Sequence, residues 1–165
     1  MNTPFTLSSP QIQADAMIDA RFEFNGFGCN GENKSPALVW RGAPAGTRSF
    51  AVTVYDPDAP TGSGWWHWMV INIPASVNEL AADAGAVGGA HLPAGARHVR
   101  IDYGIEGWGG VCPPAGDPPH RYIFTVHALQ VDTLDVPADA TAALAGFMIH
   151  ANTLAKASFS ARYGR

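Results

Sequence analysis

The sequence predicts a mainly β protein, an antiparallel β-sandwich with one or two short helices near the C-terminus. Three observations carry that expectation. Short apolar segments, many alternating with period two, recur along the chain and are separated by turns rich in Gly, Pro, Asn and Asp. Glycine and proline number 18 and 13 of 165 residues, which favours loops over long helices. Only residues 139–150 (DATAALAGFMIH) carry a helical pattern. The length and the 47% apolar content suit one domain, residues 1–165, with a sizeable core.

In chain order, residues 5–7 and the segment from Ile12 read as edge strands. Phe22, Phe24 and Phe27 space as one face of a strand running into a turn at Asn25-Gly26. Residues 28–36 form a polar loop around Asn30-Gly31, and residues 37–40 a strand. Residues 49–55 (SFAVTVY) and 68–73 (WMVINI) are the strongest apolar runs and become central strands. Residues 75–95 are Ala/Gly-rich with few bulky side chains, a surface excursion that adds little core. Residues 98–103 alternate as a strand. In the helix, Asp139 is the expected cap after Pro137, and Leu144, Phe147 and Met148 recur at helical spacing. Residues 157–163 close the chain as an alternating strand.

Charge excludes some partners. The net charge is −4 and no basic run occurs, so nothing invites a nucleic-acid backbone or an anionic membrane surface. No stretch reaches the roughly 20 apolar residues of a membrane span, and the first residues lack a secretory pattern, so a cytoplasmic protein is expected. Cys29 and Cys112 lack zinc spacing and are too few for a disulfide framework, so two reduced thiols are expected.

Two stretches carry chemistry. Residues 55–68 read YDPDAPTGSGWWHW, joining two central strands through a proline-stiffened turn that holds Asp56, Asp58 and His67. Residues 107–122 read GWGGVCPPAGDPPHRY, another Gly/Pro loop emptying through His120 into a strand. Alternation places His120, Tyr122 and Phe124 on one face of that strand, with Arg121 and Ile123 on the other. Two loops of like construction, each presenting a histidine, suggest one pocket built from both.

These motifs, DPDAP followed by HW and then CPPAGDPPHRY, resemble the phosphatidylethanolamine-binding protein family, also called Raf kinase inhibitor protein-like. CNGENKSPALVW and PAGTRSFAVTVY fit its bacterial YbhB/YbcL branch, and the likeness covers residues 5–165. The resemblance implies a β-sandwich. It also implies that Asp56, His67, Pro113, Pro114, His120 and Tyr122 line a small cavity accepting phosphate-like groups, and that the protein is a homodimer. The chain ends at Arg165, without the eukaryotic C-terminal extension that reaches the pocket rim.

The residue types fit anion recognition. Each imidazole can donate one ring N–H while Asp56 accepts from another ring nitrogen and fixes the ring. Tyr122 offers a hydroxyl. The run 107–110, ending at Gly110, can bring backbone N–H groups to an anion, and Asp58 and Arg121 pair behind the wall. Trp65, Trp66 and Trp68 read as packing residues, one of them a candidate roof. His91, His98, His127 and His150 read as structural or solvated.

The leading expectation is a binding protein for a small anionic or phosphorylated ligand that regulates an unidentified protein partner, with no catalytic residue and no cofactor. The alternative is a hydrolase or other acid–base enzyme using the same His/Asp set, although no activated Ser or Cys motif occurs. A metal held by His67, His120 and an Asp ranks third, because the spacing gives no further ligand.

Overall fold

The structure, a computed structural model, describes residues 3–165. Its elements run β1 (Thr6–Ser8), a 3-10 turn (Ala20–Phe22), β2 (Leu38–Arg41), β3 (Ser49–Asp56), β4 (Trp65–Pro74), β5 (Glu79–Leu80), β6 (Arg97–His98), β7 (His120–Leu129), α1 (Ala142–Ala151) and β8 (Thr153–Tyr163). Five strands form one antiparallel sheet in the order β6-β4-β3-β7-β8, and three form a second in the order β1-β2-β5. The chain is a mainly β sandwich with one short C-terminal helix.

The five-stranded sheet is covered on both sides, which explains why β3 is buried almost without alternation. One face carries Phe50, Val52, Val54, Trp68, Val70, Phe124 and Val126 against Leu38, Trp40 and Leu80 of the smaller sheet. The other face carries Ala51, Met69, Ile71 and Leu129 against Leu134, Val136 and the inner side of α1. The smaller sheet is therefore needed for the main core, and β5 brings Leu80 into it. Residues 75–95 were expected to add little core, yet Leu80 and Ala84 are fully enclosed there.

Other local expectations change for physical reasons. The helix is capped by Thr141, whose hydroxyl oxygen accepts from the Leu144 N–H at 3.1 Å, and not by Asp139. It buries Ala142, Ala145, Gly146 and Ile149, while Leu144 and Phe147 are 43% and 72% exposed. The sequence AALAGFMIHA is apolar all round, so two stripes compete and the small one lies closer to the sheet. Phe22 lies in the 3-10 turn, and Phe27 adopts a left-handed backbone with φ 54° that no strand allows. Of the expected 98–103 strand only His98 enters the ladder with β4, joined there by the preceding Arg97, and the segment from Ile12 forms no strand beyond a Met17–Arg162 bridge.

Cys29 and Cys112 are not free thiols: they form a disulfide with a Cα–Cα separation of 6.1 Å. An 83-residue separation hides this pairing in the sequence, whereas the fold lays the two loops side by side. His98 and His127 also have partners. The Trp68 Nε1–H donates to His98 Nε2 at 2.9 Å, and His127 Nδ1 lies 3.2 Å from Thr153 Oγ1.

Candidate functional site

β3 ends at Asp56 where β7 begins at His120, and the two strands are antiparallel neighbours with Tyr55 opposite Ile123. The same rim holds Trp65, paired with Asp56 across β3 and β4, and His67 two residues further along β4. Register thus delivers an acid, two imidazoles and an indole to one end of the sheet. The Pro57–Gly64 turn and the 107–119 loop wall it in.

Asp56, His67, Pro113, Pro114, His120 and Tyr122 all line one cavity of about 200 Å³. Phe27, Trp65, Tyr103 and Cys112 line it as well. Trp65 is the tryptophan at the pocket, whereas Trp68 is enclosed in the core. Most of the lining is aromatic or proline ring, so water is held off the few polar groups.

Asp56 is 2% exposed and fully engaged. Its Oδ1 accepts from the Asp58 N–H at 2.8 Å, and its Oδ2 lies 2.7 Å from His120 Nδ1. The expected contact between Asp56 and an imidazole is made with His120. His120 Nε2 meets a second carboxylate, Asp117 Oδ2, at 2.9 Å. Burial opposes charge on the His120 ring, but the two carboxylates outweigh it and raise its pKa above the usual histidine range. With a carboxylate against each ring nitrogen, the setting of His120 favours the doubly protonated ring, which can donate to both.

His67 is the opposite case. Its Nδ1–H donates to the Gly109 carbonyl at 2.7 Å, which leaves Nε2 with the lone pair in the neutral ring. Burial pushes its pKa down, against the favourable carbonyl and Asp56 contributions. The ring packs edge-on against Tyr103 and Tyr122, with centroids 5.7 and 5.1 Å away. Burial raises both tyrosine pKa values well above the ordinary phenol range, so both hydroxyls remain donors. Tyr103 donates to the Gly110 carbonyl at 2.9 Å. The Tyr122 hydroxyl and the Trp65 Nε1–H have no protein partner among the described residues.

Gly110 serves the site differently from the expected anion cradle. Its N–H donates to Asn33 Oδ1 at 2.7 Å, and the Gly109 N–H donates to the His67 carbonyl at 2.8 Å. The glycines are required because a Cβ on Gly109 would strike the Tyr103 ring and one on Gly110 the backbone around Glu23. The carbonyls of this run, rather than its N–H groups, hold the histidine and tyrosine. Arg121 and Asp58 pair outside the cavity as expected: Nε and Nη2 reach the carboxylate at 3.0 and 2.9 Å, and the Arg121 N–H adds a third bond at 2.9 Å. These bonds hold the Asp58 pKa down to about 2.

Sequence reasoning missed Phe27, Tyr103, Asp117 and the C-terminal clamp. Arg165 Nε donates to the Pro113 carbonyl at 2.7 Å, and its own carbonyl accepts from Gly116 N–H at 2.9 Å. Asp117 had a signal in plain view, three residues before His120. The wall therefore has three ties: the disulfide, Asn33 and Arg165.

The comparisons agree with the architecture. The family profile described as phosphatidylethanolamine-binding protein matches residues 8–164. The chain is 51% identical over 159 residues to the UPF0098 protein YbcL of Escherichia coli, covering 96% of this chain and 87% of that one. It is 50% identical to Escherichia coli YbhB over 157 residues, 95% and 98% of the two chains. The crystal structure of Escherichia coli YbcL, described as a new member of the mammalian PEBP family, superposes with a TM-score of 0.95 at 50% identity and 98% coverage of both chains. A Plasmodium vivax phosphatidylethanolamine-binding protein, 12% identical with a TM-score of 0.60 over 99% of this chain and 87% of that one, shares the fold. The chain belongs to the phosphatidylethanolamine-binding protein family, in its bacterial YbcL/YbhB branch.

Proposed function

We propose that this protein binds a small ligand through a phosphate-like or other anionic group in the Asp56–His67–His120–Tyr122 cavity. One observation carries the reading: Tyr122 OH and Trp65 Nε1, two buried donors on lining residues, have no protein partner. A buried donor without an acceptor costs about 1–3 kcal/mol, and a ligand oxygen relieves that cost. The imidazolium of His120 supplies the charge. Its Nε2–H is held by Asp117, a residue with a 38% exposed side chain on a loop, so a ligand anion exchanges with that carboxylate.

The acid–base enzyme is the weaker reading. Cys112 is in the disulfide, and the Thr61 hydroxyl donates to the Gly64 carbonyl, so neither lining residue is a poised nucleophile. The disulfide supports work in an oxidising compartment over the cytoplasm. Exposed Leu144, Phe147 and Leu154 give a homodimer apolar surface, and light scattering over a wide concentration range tests it.

The binding test is isothermal titration with inorganic phosphate, using wild type and Ala59→Trp. Ala59 lines the cavity, and an indole there fills it. Binding by wild type and its loss in the variant are expected. Equal affinities for both would remove the cavity as the binding site.

A further inference from the structure

A second groove lies on the other face of the five-stranded sheet. α1 borders that face from Gly146 to His150, and beside it Thr53, Ile123, Thr125 and His127 form the floor of the groove. Ile149 and His150 of α1 wall one side, Lys156 of β8 flanks the floor, and Tyr55 and Trp66 close the end. The groove encloses about 110 Å³. His127 and Lys156 are register partners on adjacent strands, so their side chains share this face.

The hydrogen atoms of the floor can be assigned. Thr153 Oγ1 donates to the Ile149 carbonyl at 2.7 Å, so it accepts from His127 Nδ1–H at 3.2 Å. His127 Nε2 therefore holds a lone pair and has no protein partner among the described residues, although the residue is only 4% exposed. The His150 ring stands perpendicular to it at 5.3 Å between centroids. Burial above all, then the charges of His150 and Lys156, lower the His127 pKa to about 4, so the ring is neutral at pH 7. No carboxylate is among the described residues that line the groove; Asp102 lines the adjoining depression, where its Oδ2 accepts from the Trp66 N–H at 2.8 Å.

We propose that this groove is a second oxyanion site, selective for an anion that carries its own hydroxyl hydrogen, of which hydrogen phosphate is the simplest. Lys156 and His150 meet the charged oxygens, and His127 Nε2 accepts the ligand hydroxyl. An ammonium alone would take any anion. The acceptor at the floor supplies the selection: near neutral pH inorganic phosphate keeps at least one P–OH, whereas sulfate has none and would set an oxygen lone pair against a nitrogen lone pair.

The experiment uses the full chain carrying Ala59→Trp, so that the first cavity is filled and only the second groove reports. Inorganic phosphate is titrated at pH 7 against sulfate at matched ionic strength, and amide NMR shifts are followed at Thr125, His127 and Lys156. Phosphate is expected to shift these amides saturably, with sulfate at least tenfold weaker. Lys156→Gln, an exposed position that leaves the fold intact, is expected to weaken phosphate about tenfold. Equal responses to the two anions, or none at these amides, would overturn the proposal. The two sites fail separately: loss of all binding on filling the first cavity removes this groove alone. Saturable shifts confined to the groove, with wild type and Ala59→Trp binding equally, keep this site and remove the first.

Discussion

Replacing Tyr122 by Phe removes one oxygen atom and little else, and the structure gives that change opposite effects on stability and on binding. The hydroxyl is buried and lacks a protein partner, while the ring packs edge-on to His67 at 5.1 Å and is fully enclosed. An unsatisfied buried hydroxyl costs about 1–3 kcal/mol, and Phe keeps the ring contacts, so the ligand-free variant should gain about 1 kcal/mol. For a chain of this size that is an increase of about 2–4 °C in Tm. The ligand loses a hydrogen bond to a charged oxygen, worth about 1.5–3 kcal/mol, or about tenfold to hundredfold in Kd. Because the tyrosine pKa is raised above the ordinary phenol range, that ratio should stay constant between pH 5 and 9. Calorimetric melting without ligand and isothermal titration with phosphate give both numbers on the same samples. A variant with a lower Tm and an unchanged Kd would refute the reasoning, since the hydroxyl would then be serving the fold and not the ligand.

Other consequences follow from the same contacts. Asp117→Asn should tighten phosphate binding about tenfold and lower the His120 pKa, because the competing charge at Nε2 is removed; unchanged affinity by titration would mean that no exchange with Asp117 occurs. Acid should destabilise the fold through His98 and His127, whose folded pKa values of about 4 lie below the unfolded 6.5. Their contribution is complete above pH 6.5 and is lost as pH falls, about 3 kcal/mol for each ring by pH 4. His120 has the reverse sign: its raised pKa contributes fully below pH 6.5 and its share is lost as pH rises through the folded value. Urea midpoints measured from pH 4 to 7 should therefore fall toward the acid end, and a flat profile would contradict the burial of the two rings. Reducing the Cys29–Cys112 bridge should lower stability by about 2–5 kcal/mol and weaken phosphate, because Cys112 lines the cavity. Melting and titration with and without a thiol reductant check it; an unchanged Kd would uncouple the bridge from the pocket.

The parts legible in the sequence were those set by local chemistry. β3 and β7 announced themselves as apolar runs bounded by proline turns, and alternation along β7 correctly put His120, Tyr122 and Phe124 on one side. Contacts between distant segments were not legible. The Cys29–Cys112 bridge spans 83 residues, and the stack of Phe24 on Tyr103 at 3.9 Å joins a turn and a loop with no shared pattern. The buried face of α1 was misread because Leu144 and Phe147 are bulkier than Ala145 and Gly146, whereas proximity to the sheet rewards the small side chains. Gly107–Gly110 drew the wrong role for a related reason: glycine signals close approach, but not what approaches.

The charge balance of the first cavity sets a condition on the proposed binding of an anion by a net-negative protein. Asp56 and Asp117 flank His120, and His67 is neutral, so the ligand-free cluster already has an excess of one negative charge. A free anion added to that set would be repelled. An anion that displaces the Asp117 carboxylate to solvent leaves the local charge nearly unchanged and gains Tyr122 and Trp65 as donors. On the proposed reading, exchange is the step that would make binding favourable. It also requires that the rest of the wall stay fixed while Asp117 moves. The disulfide, the Asn33 bonds to Trp108 and Gly110, and the Arg165 bond to Pro113 tie down the loop on the N-terminal side of Asp117. Gly116 is itself tied, its N–H donating to the Arg165 carbonyl at 2.9 Å, so release of the carboxylate falls to rotation of the 38% exposed Asp117 side chain. On the proposed reading the ligand keeps the tied contacts and replaces the one made by the part-exposed Asp117 side chain.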